Sequence, residues 1–240
     1  MPVYPHEEYL AVLKVLPDFV EYDANGIPFI EPDEVDISQI NNGLWLINYK
    51  NVSSKKKNAS RKIVHFFCYD GKLRSILDHP VRLIKKVSGY HAVATPDFTM
   101  DSKMKVEPIR MATFNNRWIG ALLQAYGIKV IPTVGWVDED TYDICFGGLR
   151  DGGTFLISSY GVNNPECQGG FLRGYREMRK RNPNTKIICA GDRIDGMDSD
   201  VCYVKYEDTF GNWDHYQKSW QPSMINWDGS IPESEVKIEL

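Results

Sequence analysis

The sequence lacks the features that would place it at once. No apolar run approaches the roughly 18 residues of a membrane-spanning helix, so no membrane segment is expected. The first residues, Met-Pro-Val-Tyr-Pro, lack the basic and apolar stretches of a secretory signal. There is no C-x-x-C, no H-E-x-x-H and no pair of histidines at helical spacing, which argues against a built-in zinc site. The P-loop lysine signature and the G-x-S-x-G nucleophile elbow are both missing, so Ser158 and Ser159 do not read as hydrolase nucleophiles. The five cysteines are odd in number and widely spaced, and four of them (Cys68, Cys145, Cys189, Cys202) lie among apolar neighbours. That usage fits small buried hydrophobes in a reducing cytoplasm rather than a disulfide framework. A large excess of basic charge is also absent. The formal net charge is −4, and nucleic acid is therefore not an expected partner, although Lys55, Lys56, Lys57, Arg61 and Lys62 form a local basic run. That run reads as a solvated loop.

What is present is the ordinary composition of a globular chain, 42% hydrophobic and 25% charged over 240 residues, enough for one large domain. The first forty residues carry five prolines and an acidic cluster at Glu31-Pro32-Asp33-Glu34, and they read as an arm over the domain with one short helix near 7–16. From residue 44 a rhythm of strands and helices begins. Strands are expected over 44–49, 63–68, 90–95, 128–134, 153–158, 186–190 and 201–206. Helices are expected over 73–87, 112–126, 141–146 and 168–181, with Gly127 as a left-handed cap. Several strands are continuously apolar, the pattern of a parallel sheet covered on both faces. The expected fold class is α/β with a parallel sheet, a (β/α) or TIM-barrel-like arrangement or an incomplete barrel, with an open doubly wound sheet as the alternative. The expected organisation is an N-terminal arm (1–43), the α/β domain (44–210) and a C-terminal tail (211–240). Trp213, Trp220 and Trp227 recur in that tail every seven residues, either to pin it or to meet a partner.

Three ordered stretches carry a resemblance. They are Thr95-Pro96-Asp97-Phe98-Thr99, then Asn116-Arg117-Trp118-Ile119-Gly120 with Gln124 and Gly127-Ile128, then Val130-Ile131-Pro132-Thr133 with Trp136. Over residues 63–206 the chain resembles a domain-of-unknown-function family of phages, mobile elements and bacterial genomes. The resemblance implies a phage or mobile-element setting, and the host cytoplasm if phage-encoded. It implies no activity, cofactor or catalytic residue.

In parallel α/β folds, ligands sit where the carboxyl ends of the strands converge. The polar residues at those ends are Asp70, Asp97, Thr133 with Trp136 and Asp138, then Ser158 to Tyr160, then Asp192 and Arg193. Asp97 and Asp70 follow consecutive strands. Facing one cleft, they would split their pKa values into a proton donor and an acceptor, or share a Mg²⁺ ion through oxygen ligands. Each also has a structural reading: Asp70-Gly71 is a common turn pair, and Asp97 follows Pro96 in a strand-to-turn corner. Asn116 and Arg117 sit within a helix, where the guanidinium would clamp a phosphate or tie helix to loop. Trp136 would stack on a base or sugar ring, or pack in the core. His65 and His91 fall inside strands and read as hydrogen-bonded core histidines.

Two functions from different classes follow. One is an α/β enzyme acting on a nucleotide or phosphorylated sugar, with Asp97 and Asp70 as acid/base or metal ligands and Arg117, Asn116, Thr133, Trp136 and Ser158 as substrate contacts. The other is a non-catalytic protein that binds or sequesters a host or phage factor through the arm and the tail.

Overall fold

The computed structural model describes residues 13–53 and 55–205. Most of the helix expected at 7–16 lies outside them, as does the Trp-bearing tail; residues 13 and 14 form a turn.

The described residues form seven strands: β1 (Trp45–Asn48), β2 (Lys62–His65), β3 (Ala92–Ala94), β4 (Val130–Ile131), β5 (Thr154–Ser158), β6 (Lys186–Ala190) and β7 (Cys202–Val204). They pair in chain order, as a four-stranded sheet β1-β2-β3-β4 and a three-stranded sheet β5-β6-β7, and every pairing is parallel. A parallel bridge between Thr133 and Leu156 joins the two sheets. Leu156 N–H donates to the Pro132 carbonyl at 2.9 Å and Val134 N–H to the Leu156 carbonyl at 2.8 Å.

Strand side chains alternate between two faces. On one face Leu46, Ile63, Ala92, Ala94, Ile131, Leu156, Ile188, Ala190 and Val204 join a single buried cluster that draws from all seven strands. On the other face Val64, Val93 and Val130 pack beneath α1 (Asp70–Asp78), α2 (Pro80–Val87) and α3 (Val106–Ala125). Phe155, Ile157, Ile187 and Cys189 pack beneath α5 (Pro165–Arg181). The continuous apolar runs are thus explained: both faces are covered.

Local chemistry sets the helix limits. The helix expected over 73–87 is two helices, because Pro80 lacks the N–H that would continue the ladder and instead starts α2 at its favoured first position. The helix expected at 112 begins six residues earlier, at Val106, and ends in a Schellman motif. There Gly127 has φ +72°, its N–H meets the Gln124 carbonyl at 2.8 Å, and Ile128 N–H meets the Leu123 carbonyl at 3.1 Å. Near residue 141 only a 3-10 turn, Glu139–Thr141, and the one-turn α4 (Tyr142–Cys145) form. The last helix starts at Pro165, where the Asn164 side chain accepts from Cys167 N–H at 2.9 Å.

Residues 23–40 pack against the strands and helices that follow. Asp23 accepts backbone N–H bonds from Ile27 at 2.9 Å and Gly148 at 3.2 Å. Asp33 accepts from Val130 N–H at 2.8 Å, and Ile27, Ile30, Val35 and Ile40 are buried. Among the described residues no helix is long and apolar enough to cross a membrane.

Candidate functional site

The strands end at one side of the molecule, and a hollow of about 610 Å³ opens there. Phe67 beyond β2, Asp97 beyond β3, Thr133 to Asp138 beyond β4, and Ser158 with Tyr160 to Val162 at and beyond the end of β5 line it. This volume is within the range of small-molecule sites. A second, polar hollow of about 310 Å³ lies between the loop 159–163 and the loop 191–194, and the two share Tyr160, Gly161 and Val162.

Asp97 is the residue whose surroundings are least ordinary. It is half-buried at the cleft, and no hydrogen-bond donor among the described residues reaches its carboxylate. Burial, reinforced by the negative charge of Asp70, raises its pKa to about 7. Behind it lies a cavity of about 10 Å³, room for one water, lined by Asp97, Thr113, Asn116, Arg117 and Thr133 among others.

Asp70 does not line the large hollow. It opens α1, and its Oδ1 accepts from Thr99 N–H at 3.2 Å and from the Thr99 hydroxyl at 3.0 Å. Its effect on the cleft is therefore the position of the 97–99 loop and the charge it sets beside Asp97.

Asn116 and Arg117 form the buried floor rather than a wall. Asn116 Nδ2 donates to the Pro96 carbonyl at 2.8 Å and the Thr133 carbonyl at 3.0 Å, and its Oδ1 accepts from the Thr95 hydroxyl at 2.8 Å. Arg117, 2% exposed, donates through Nε to the Gly147 carbonyl and through Nη2 to the Cys145 carbonyl, both at 3.0 Å. Its Nη1 serves the Asn116 side chain and the Thr133 carbonyl. Burial lowers its pKa to about 10, still well above neutrality. Four donated bonds fix this guanidinium to the frame, so the geometry favours the structural tie over the anion clamp.

Thr133 and Ser158 also spend their hydroxyls internally. Thr133 Oγ1 donates to the Thr95 carbonyl at 2.6 Å, and Ser158 Oγ to the Ala190 carbonyl at 3.0 Å. Trp136 forms one wall, its ring 5.0 Å from that of Phe171. Gly174 makes this approach possible, since a Cβ there would sit 2.1 Å from Trp136 Cδ1. His65 is fully buried, and its Nδ1 accepts from Phe67 N–H at 3.3 Å. His91 is half-buried with its pKa lowered by burial. Burial drives the Cys68 thiol up to about 11, which removes it as a nucleophile.

The structure brings Asp97, Thr133, Trp136 and Ser158 to one hollow, sets Asn116 and Arg117 beneath it, and leaves Asp70 at its edge. Reading strand ends does not reveal Met100, Asp101, Ser102, Cys167, Gly170 and Phe171, which also line it. Three come from the loop after Asp97 and three from the first turns of α5, and no motif marks them. Among the described residues, no group of three or more His, Cys, Asp or Glu is placed to hold a metal ion.

Comparison with known proteins places the chain. It is 30% identical over 209 residues to "Gene 1 protein" of Mycobacterium phage L5, a match covering 86% of this chain and 88% of that protein. It is 32% identical over 156 residues to "Gene 1 protein" of Mycobacterium phage D29, covering 65% of this chain and 57% of that protein. No solved structure matches it. The model of a domain of unknown function, DUF4417, matches residues 22–207, a span that takes in half of the arm as well as every strand, and the chain belongs to that family.

Proposed function

We propose that the chain is an α/β enzyme that binds a nucleotide or a phosphorylated sugar across the strand ends, with Asp97 as the group that gives and takes a proton. The observation that carries this reading is Asp97 itself, a carboxyl at a strand end whose pKa near 7 leaves it both protonated and ionised at neutral pH. Asp70 keeps it there by its charge and by holding Thr99. Trp136 is the flat wall for a base or sugar ring, and the polar hollow with Arg193 is where a phosphate sits. Arg117 contributes positive charge from beneath. Two carboxylates suit acid/base work better than a resident metal; a Mg²⁺ ion here would need substrate phosphate oxygens to complete its shell. The strand order and the one inner cluster shared by seven strands support an incomplete (β/α) barrel as the frame.

A thermal-shift screen of nucleoside phosphates and sugar phosphates, with and without Mg²⁺, tests the reading. A ligand at a hundred times its dissociation constant stabilises the fold by about 2.7 kcal/mol. That corresponds to roughly 5–10 °C for a domain of this size. The shift is expected to shrink in Asp97→Asn. Uniformly flat curves across both classes would sink the proposal.

The reading as an interaction protein has its own support. Leu13, Val15, Phe19 and Tyr22 on the arm are exposed, and Phe19, 73% exposed, lines a hollow of about 500 Å³ between the arm and the end of α3. Phe19→Ala separates the two readings, since it leaves ligand binding in the cleft unchanged and weakens capture of a protein partner.

A further inference from the structure

The net charge of −4 averages over two unlike regions. Residues 50–86 hold eleven Lys and Arg against two Asp and no Glu, a net +9, and the rest of the chain therefore carries −13. The fold draws several of these cations together. Lys86 Nζ lies 3.7 Å from the centroid of the Tyr49 ring and donates to the Tyr49 carbonyl at 3.2 Å, which ties α2 to the turn after β1. Lys56 Nζ donates to the Lys85 carbonyl at 3.2 Å and to that of Ser88, which lays the 55–58 loop against the end of α2. Lys50 Nζ sits 5.9 Å from the Tyr69 ring, beside the start of α1. On α1, Leu73 and Ile76 face inward while Lys72 and Arg74 face out; on α2, Leu83 and Ile84 face inward while Arg82 and Lys85 face out.

The cations crowd one another. Burial and the charge of Arg82 lower the pKa of Lys86; burial and the charge of Lys72 lower that of Lys50. Elsewhere the fold uses its arginines in pairs: Arg150, Arg179 and Arg181 each meet two carboxylates. None of the ten ion pairs among the described residues involves Arg61, Lys72, Arg74, Arg82 or Lys85, all of them exposed. A surface on which cations outnumber carboxylates this far is one from which a polyanion displaces counterions.

The other side chains say which polyanion. A lipid surface is met by cations interleaved with exposed aliphatic residues. Tyr69, 51% exposed, is the single large hydrophobic that residues 50–86 expose, and an aromatic ring among cations is a platform for an unstacked base. We infer that the face formed by the turn after β1, the 55–58 loop and the outer sides of α1 and α2 binds single-stranded nucleic acid, through its phosphates and one base stacked on Tyr69. Tyr69 approaches the cleft at Tyr160, but none of the cations of this face lines the large hollow, and the inference does not depend on the cleft's chemistry.

The test is fluorescence anisotropy of the full chain with a labelled 20-nucleotide oligothymidylate and a 20-base-pair duplex. The oligonucleotide is expected to bind at 50 mM KCl. Its affinity should fall about 50-fold at 200 mM, the loss for roughly four phosphates released from a single strand. Arg82→Glu with Lys85→Glu should cost at least tenfold with thermal unfolding unchanged, and Lys72→Glu with Arg74→Glu repeats the measurement on α1 should the first pair unfold. Tyr69→Ala should cost about fivefold or more on the single strand and spare the duplex. Asp97→Asn should bind the oligonucleotide like the unaltered chain, which keeps this result apart from the fate of the cleft. Absence of binding at 50 mM, binding indifferent to both charge reversals, or a duplex held more tightly than the single strand overturns the inference. So do anionic phosphatidylserine vesicles that bind as tightly and are lost with the same variants.

Discussion

Asp70 and Thr99 are joined twice, by the Thr99 backbone N–H at 3.2 Å and its hydroxyl at 3.0 Å, both on the same carboxylate oxygen. The first residue of α1 thereby anchors the loop that leaves β3. Asp97 lies two residues before Thr99, so the bond that places this loop also brings a fixed negative charge to Asp97. One side chain thus places the loop and adds its charge to the burial that raises the proton affinity of Asp97.

Stability should fall as pH rises through the neutral range. Asp97 keeps its proton up to about 7 in the folded chain, against about 3.9 in an unfolded one. Between those values the native state holds more protons, so this contribution is complete below about pH 4 and is lost as pH rises through 7. In Asp97→Asn the amide replaces the neutral acid. Its melting temperature, followed by circular dichroism from pH 4 to 8, should match the unaltered chain at the acid end and exceed it by several degrees at pH 8. Parallel curves would show that Asp97 ionises freely.

Asp70→Asn should move the titration of Asp97 downward, towards the ordinary carboxylate range, because it removes the repelling charge. Carbon-detected NMR of the labelled Asp97 carboxyl reads the midpoint directly. A midpoint that stays put would mean that burial alone is responsible.

Arg117→Lys should destabilise the fold severely, by about 3–5 kcal/mol in urea unfolding, because a lysine cannot reproduce a planar fork that serves the carbonyls of Gly147, Cys145 and Thr133. A clamp for a bound phosphate would behave otherwise. Its loss would leave the midpoint in place and abolish only ligand binding.

Two glycine replacements should differ by what the new methyl meets. At Gly174 a Cβ would lie 2.1 Å from the Trp136 side chain, which can tilt away at a cost of roughly 1–3 kcal/mol. At Gly148 it would lie 2.3 Å from the Pro28 carbonyl oxygen, on a residue with φ +67°, and neither backbone can yield cheaply. Gly148→Ala should therefore lower the urea midpoint more than Gly174→Ala. The reverse order would show that the arm at Pro28 is loosely held.

Much of the frame was legible in the residues. Continuously apolar runs such as Ile187-Ile188-Cys189-Ala190 announce a strand covered on both faces, and β6 falls where that run predicts. The strand-helix alternation announced parallel pairing, and every pairing is parallel. Pro80 is the signal for two helices instead of one, standing where α1 gives way to α2. The start of α3 at Val106 carries no capping side chain, and its local marks are Glu107 and Pro108 in the first turn.

The candidate site divides in the same way. That Asp97, Thr133, Trp136 and Ser158 would meet followed from strand direction, since parallel strands end on one side whatever loops follow. That Arg117 is committed to backbone carbonyls, that Asp70 works through Thr99, and that cations of the turn after β1, the 55–58 loop, α1 and α2 come close together depend on which loop packs against which helix. Periodicity, charge order and chain punctuation are properties of neighbours along the chain, and the sequence by itself determined them. Hydrogen bonds such as that from Arg117 to Gly147, thirty residues apart, and the desolvation that raises the Asp97 pKa depend on distances between remote segments. Only the packed tertiary structure decided those, because burial and geometry exist once the chain has closed on itself.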